Sequence, residues 1–142
     1  MLDVQTRKVP RELTSEWRTN MKYLGLYADS DGESHFRDVD IELNPVDFAP
    51  PAAPVNLSAF TPATQCGFLS VPAKWYGAPH PAPVKAIYVF ISGEWEITTS
   101  DGQARRLSPG SIVRAEDTTG KGHSSRLLSD SEGFAAVVQL AD

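Results

Sequence analysis

From Val84 onward, apolar residues fall in short β-rich runs separated by Gly, Pro, Asp and Ser at regular intervals, the pattern of an all-β sandwich or barrel. Six strands follow from it. Ala86 to Ile91 is a continuous apolar run that stops at Ser92-Gly93, and Glu94 to Thr99 alternates Trp95 and Ile97 with Glu94, Glu96 and Thr98. Ser100-Asp101-Gly102 turns the chain into Ala104 to Leu107, and Ser108-Pro109-Gly110 leads into Ser111 to Ala115. A polar loop from Glu116 to Gly122 precedes His123 to Leu128, and the turn Ser129 to Gly133 precedes Phe134 to Leu140.

Upstream the pattern is governed by proline. Nine of the 11 prolines lie between Pro45 and Pro83, and each removes a backbone donor and biases its predecessor toward extended geometry. Asn44 to Pro83 is therefore expected as extended segments and turns, with a strand around Gln65 to Val71. Phe48, Leu57, Phe60, Phe68, Leu69, Trp75 and Tyr76 make it too apolar for a solvated linker. Nearer the N-terminus, Pro10 followed by Arg11 to Asn20 predicts one amphipathic helix with Leu13 and Trp17 on a face. Met21 to Tyr27 alternates weakly, and Ala28 to Gly32 is a turn cluster. His35 to Leu43 places Val39, Ile41 and Leu43 on one face and Asp38, Asp40 and Glu42 on the other, a half-buried strand. Such a strand often pairs with a second subunit, and with the proline-rich arm it points to a homodimer. The expected organisation is an N-terminal extension over 1–21 and a single domain over 22–142.

Composition narrows the function classes without choosing one. The 142 residues, 41% hydrophobic and 22% charged, suit one globular domain. With 13 Lys+Arg against 18 Asp+Glu, the net charge of −5 disfavours nucleic acid or an anionic membrane as partner, since both need a basic face. No run approaches the roughly 18 apolar residues of a membrane span, and Met1 to Lys8 lacks a signal-peptide core, so a cytoplasmic location is expected. The single cysteine, Cys66, allows no internal disulfide; beside Gly67-Phe68-Leu69 and without flanking charge it is expected as a buried core thiol. Gly120-Lys121-Gly122-His123 could present backbone donors to an anion, but it lacks the full phosphate-loop pattern. Arg105-Arg106 reads as a solvated strand edge, where charge blocks strand addition.

The stretch from Val84 to Leu140 resembles the small cupins. The resemblance rests on a strand ending in Ser92-Gly93-Glu94, a hairpin at Asp101-Gly102, Leu107-Ser108-Pro109-Gly110-Ser111 before a strand, and a histidine late in the next loop. Glu116-Asp117-Thr118-Thr119-Gly120-Lys121-Gly122-His123, His80-Pro81-Ala82-Pro83, Asp31-Gly32-Glu33-Ser34-His35-Phe36 and Asn44 to Pro51 extend it to one group of short bacterial cupins, over roughly residues 22 to 140. The implied fold is a double-stranded β-helix, or jelly-roll barrel, here with extra N-terminal strands and a proline-rich arm.

Cupins commonly hold a divalent metal through two histidines and a glutamate in a first motif and one histidine in a second. Counting back from Gly93, the first motif here reads His80, then Ala82 in place of the second histidine and Ala86 in place of the glutamate. The second motif keeps Gly110, Gly120 and His123, with a longer loop and Thr118 where proline is usual. His80 and His123 alone fall short of about three protein ligands, so the implied cofactor is none or a weakly bound divalent metal, unless Glu116, Asp117 or His35 reaches the site. The resemblance further implies that His80 and His123 face a cavity lined by Tyr88, Phe90, Trp95, Ala82 and Ala86, with Trp75 and Tyr76 as lid, subunit contact or core. Three readings follow. The chain is a metal-independent or weakly metal-dependent enzyme moving protons on a small organic substrate through His80 and His123, as an isomerase, lyase or cyclase; a non-catalytic ligand-binding or sensing protein; or a metal-dependent oxygenase or isomerase with substitute ligands.

Overall fold

The computed structural model describes residues 21–142, with strands and turns and no helix among them. The helix expected over Arg11 to Asn20 lies outside the described residues, as does all but the last residue of the expected extension. The described chain forms two compact units, and the smaller one includes Asp40–Phe60. Within it β3 (Asn44–Val46) pairs antiparallel with β4 (Val55–Leu57), and the rings of Phe48 and Phe60 lie 6.4 Å apart. The proline-dense middle of the chain is thus short strands and turns.

The larger unit, Tyr23–Val39 with Thr61–Asp142, carries the two principal sheets. Eight of its strands pair in a nested series. First meets last, as β5 (Ala63–Val71) pairs with β12 (Gly133–Leu140), and β6 (Tyr76–His80) pairs with β11 (His123–Leu127). Inside these, β7 (Ala86–Ser92) pairs with β10 (Ile112–Ala115), and β8 (Trp95–Thr99) with β9 (Ala104–Leu107). All four pairs are antiparallel, so the chain is one long hairpin rolled up, which is the jelly-roll topology. The rolled strands alternate between a sheet in the order β5-β12-β7-β10 and one in the order β6-β11-β8-β9.

The first sheet continues at its β10 edge with β1 (Met21–Ala28), in parallel, and then β2 (Ser34–Ile41). The strand expected from His35 to Leu43 therefore pairs with β1 of its own chain and forms the edge of this sheet. Asp38 and Asp40 are exposed on it, as the alternation requires, and Asp38 accepts a two-pronged contact from Arg105 on the edge strand β9.

All six strands read downstream of Val84 are present with shifts of a residue or so at their ends. Glu94, expected to open its strand, instead belongs to the preceding turn, where its N–H donates to the Ser129 hydroxyl. The core lies between the sheets and is built from inward positions such as Leu26, Phe90, Trp95, Ile97, Val113 and Leu127. Leu69 and Val71 on β5 pack against it. Strand parity then turns Cys66 and Phe68 the other way: Phe68 is 81% exposed and Cys66 is exposed, not a core thiol.

Candidate functional site

The antiparallel register of β6 and β11 sets His80 directly opposite His123, and their ring centroids are 5.2 Å apart. This approach depends on the loop that ends at His123. Gly122 has φ of 76°, and a Cβ there would overlap the carbonyl of His80; Gly120, with φ of 80°, is equally close to the backbone of Gly32. Both glycines of this loop thus serve close backbone packing. The loop is tied down by Lys121 N–H donating to Gly32 O at 2.8 Å, Ala82 N–H to Asp117 O at 2.9 Å, and Ser100 N–H to Gly122 O at 3.1 Å.

The same loop delivers Asp117, whose side chain is fully buried. Its Oδ2 accepts from the Ser34 hydroxyl at 2.8 Å and from His123 Nδ1–H at 2.7 Å. Its Oδ1 is buried with no hydrogen-bond partner among the described residues. A carboxylate on Nδ1 fixes the tautomer, so the neutral His123 ring offers Nε2 as an acceptor. His80 reaches the same state by another route, because its Nδ1–H donates to Ala78 O at 2.7 Å. Neither Nε2 has a hydrogen-bond partner among the described residues.

Both histidines line a cavity of about 200 Å³ between the sheets. Trp75, Tyr88, Phe90 and Trp95 supply its aromatic wall, and Ser125 is the remaining polar residue. The wall is braced: Trp95 sits 5.1 Å from Phe90 and 6.4 Å edge-on from Trp75, and its indole N–H donates to Ser92 O at 3.0 Å. No Asp, Glu, Lys or Arg lines the cavity among the described residues. Burial, and after it the negative charge of Asp117, raise the pKa of the Tyr88 phenol, which therefore stays a hydrogen-bond donor.

No family model matches the sequence, and no curated protein is detectably similar to it. Among solved structures, a Cupin 2 conserved barrel domain protein from Salinispora arenicola CNS-205 is 16% identical, with 71% of this chain and 76% of that one covered and a TM-score of 0.47. The Cnp3 cupin domain of Schizosaccharomyces pombe is 11% identical over 85% of this chain and 88% of its own, at a TM-score of 0.48. KdgF from Halomonas sp. is 23% identical over 72% and 81%, at 0.43. The deciding observation is the nested pairing of eight strands in two sheets around the histidine-bearing cavity. The fold is a small jelly-roll barrel.

Among the described residues of this barrel, the donor set does not fit a resident metal. Ala82 and Ala86, which stand where the resemblance places a histidine and a glutamate, are buried in the core with no donor atom to offer. No group of three or more His, Cys, Asp or Glu positioned to hold a metal occurs among the described residues. The substitutes do not arrive either. Asp117 is engaged on the Nδ1 side of His123, Glu116 faces Arg37 and Arg114 at 3.7 and 3.6 Å, and His35 sits between two carboxylates. Of the other expected positions, three lie outside the cavity lining. Ala82 and Ala86 pack into the core and do not open the cavity, while Tyr76 is 61% exposed because its neighbour Trp75 takes the inward position. Ser34 went unnoticed in the sequence, where nothing in the periodicity marks it.

His35 anchors the turn that carries Ser34. Its Nε2 lies 2.7 Å from Asp29 Oδ2 and its Nδ1 2.8 Å from Asp101 Oδ2, so with both carboxylates ionised both nitrogens carry protons. The hydrogen bond to Asp29, then that to Asp101, raises the His35 pKa. Asp29 is lowered by the His35 bond first, and Asp101 by the Thr99 hydroxyl first. A raised histidine stabilises the fold below its ordinary value of 6.5 and loses this as pH climbs through the folded value. Lowered aspartates stabilise above 3.8 and lose this as pH falls through theirs. The clamp therefore contributes most between pH 3.8 and 6.5. His35→Gln should lower Tm most in that window and converge with the parent at alkaline pH, as followed by circular dichroism; a pH-independent difference would remove the imidazolium from the account.

No helix among the described residues is long and apolar enough to cross a membrane.

Proposed function

We propose that the barrel binds a small organic molecule and moves a proton on it without a metal, as an isomerase, lyase or cyclase does. The observation that carries this reading is the pair of imidazoles facing each other on one apolar cavity, one of them backed by a buried carboxylate. His123 Nε2 accepts a proton from the substrate, and Asp117 stabilises the imidazolium that forms, since its Oδ2 already holds Nδ1–H. The His123 imidazolium then returns that proton at a second position, while His80 Nε2, on the opposite strand, accepts a hydrogen bond from the substrate. The Tyr88 hydroxyl donates to oxygen on the substrate as charge develops there. The apolar wall keeps bulk water away from the reacting carbon.

The test uses small enolisable ketones in D2O, with exchange of the acidic C–H for C–D followed by proton NMR. The protein should accelerate exchange on at least one of them by about 10²-fold or more, the ordinary contribution of a positioned general base. His80→Ala combined with His123→Ala should return the rate to background. A ligand that binds in the barrel and comes back without deuterium would replace this account with the non-catalytic binding reading.

A further inference from the structure

The cavity carries enough chemistry to name the class of molecule it takes, an inference that rests on the reading above. We infer that the ligand is an uncharged, monocyclic, planar molecule bearing a hydroxyl of the phenol or enol type.

Size sets the first bound. An apolar cavity of about 150 Å³ holds benzene, so about 200 Å³ suits one six-membered ring with a substituent or two better than a fused bicycle. Shape sets the second. The Trp75, Phe90 and Trp95 rings are locked edge-on and tilted to one another, and such a wall complements a flat π-system better than a puckered aliphatic ring.

Polarity sets the third. His80 and His123 both spend Nδ1–H on protein acceptors, on Ala78 O and Asp117, which leaves two Nε2 acceptors at the cavity. Tyr88 adds a phenol kept protonated by its surroundings. A group that donates to an imidazole and accepts from a phenol is a hydroxyl, and one bonded to an sp² carbon gives its proton up most readily. No Lys or Arg lines the cavity to neutralise a ligand carboxylate, and the buried Asp117 beside His123 repels one. A molecule lacking the hydroxyl leaves the Nε2 acceptors unpaired, and that is the source of discrimination.

Fluorine NMR titrations of the intact protein test each bound separately, and they read binding independently of any turnover. 4-Fluorophenol should bind about tenfold tighter than 4-fluoroanisole, which has the same ring but no donor. 4-Fluorobenzoate and 6-fluoro-2-naphthol should bind more weakly than 4-fluorophenol by at least that factor. In His80→Ala, where the changed side chain is exposed and the fold is expected to survive, the preference for phenol over anisole should shrink to about threefold or less. Ala135→Leu, which fills the cavity, should weaken all ring probes together. Equal binding of phenol and anisole, or tighter binding of the benzoate or the naphthol, overturns the assigned class. So does the absence of binding by every probe. Deuterium exchange on a ketone outside this class would meanwhile leave proton transfer in the barrel standing, so the two failures are told apart.

Discussion

Gly122→Ala should be among the most destabilising single substitutions in this chain, costing about 4 kcal/mol or more. The left-handed backbone at φ of 76° accounts for about 1–2 kcal/mol of that. The rest comes from overlap between the new Cβ and the His80 carbonyl, which is backbone and cannot swing aside as a flexible side chain would. Relief requires β6 to part from β11 at His80 and His123, so ring-probe binding should be lost even in whatever fraction remains folded. Gly102→Ala is the matched control. Gly102 has φ of 89° but open space around its Cβ position, so the cost should be the backbone share alone. Urea denaturation of the two variants measures the difference. Equal destabilisation would show that β6 and β11 tolerate separation at this point, and the close approach of Gly122 to His80 would then not be what holds the two imidazoles together.

Removing Asp117 should cost about 3–5 kcal/mol, because two buried hydrogen bonds to a charged acceptor, each worth about 1.5–3 kcal/mol, are lost together. Two donors then lose their acceptor, the Ser34 hydroxyl and His123 Nδ1–H, in a place no charged or exposed group can reach to replace it. Asp117→Ala should also free the His123 ring to change tautomer, so proton-transfer activity should fall further than binding. Asp117→Asn keeps one acceptor oxygen and should recover part of the stability. Ser34→Ala removes a single neutral donor and should cost only about 1 kcal/mol. If Asp117→Ala unfolds at the same urea concentration as the parent, the buried pair is not holding the loop. The orphaned Oδ1 gives a reason to make the measurement, because an unpaired buried oxygen already costs the native fold something that the two bonds on Oδ2 must outweigh.

The strands were legible because their signal is local. Alternation at Trp95 and Ile97, the apolar run from Ala86, and turn residues at Asp101-Gly102 and Pro109-Gly110 each act within a few residues. The structure moves the strand ends by a residue or so. His80 and His123 were legible as candidates from the motif spacing, and the register of β6 against β11 places them together. Asp117 was visible only as a possible metal ligand. Its bond to Nδ1 of His123 depends on how the loop from Glu116 to Gly122 doubles back, which no periodicity records. Cys66 was misplaced for a related reason. A strand shows two faces, and which one is inward depends on its neighbours in the sheet, not on its own residue types.

By itself the sequence determined a domain of strands and turns, the positions of the strands downstream of Val84, and two histidines as candidates. These follow from residue chemistry and short-range pattern, so they hold whatever the chain packs against. The tertiary structure decided what no local pattern records: the nested pairing that closes the roll, the 5.2 Å approach of two imidazoles, and the Ser34 to Asp117 to His123 chain that joins β2 to β11. Contacts of that kind form only when distant segments are brought together and water is excluded from between them. The free energy that orients His123 is therefore a property of the closed barrel and of no segment within it.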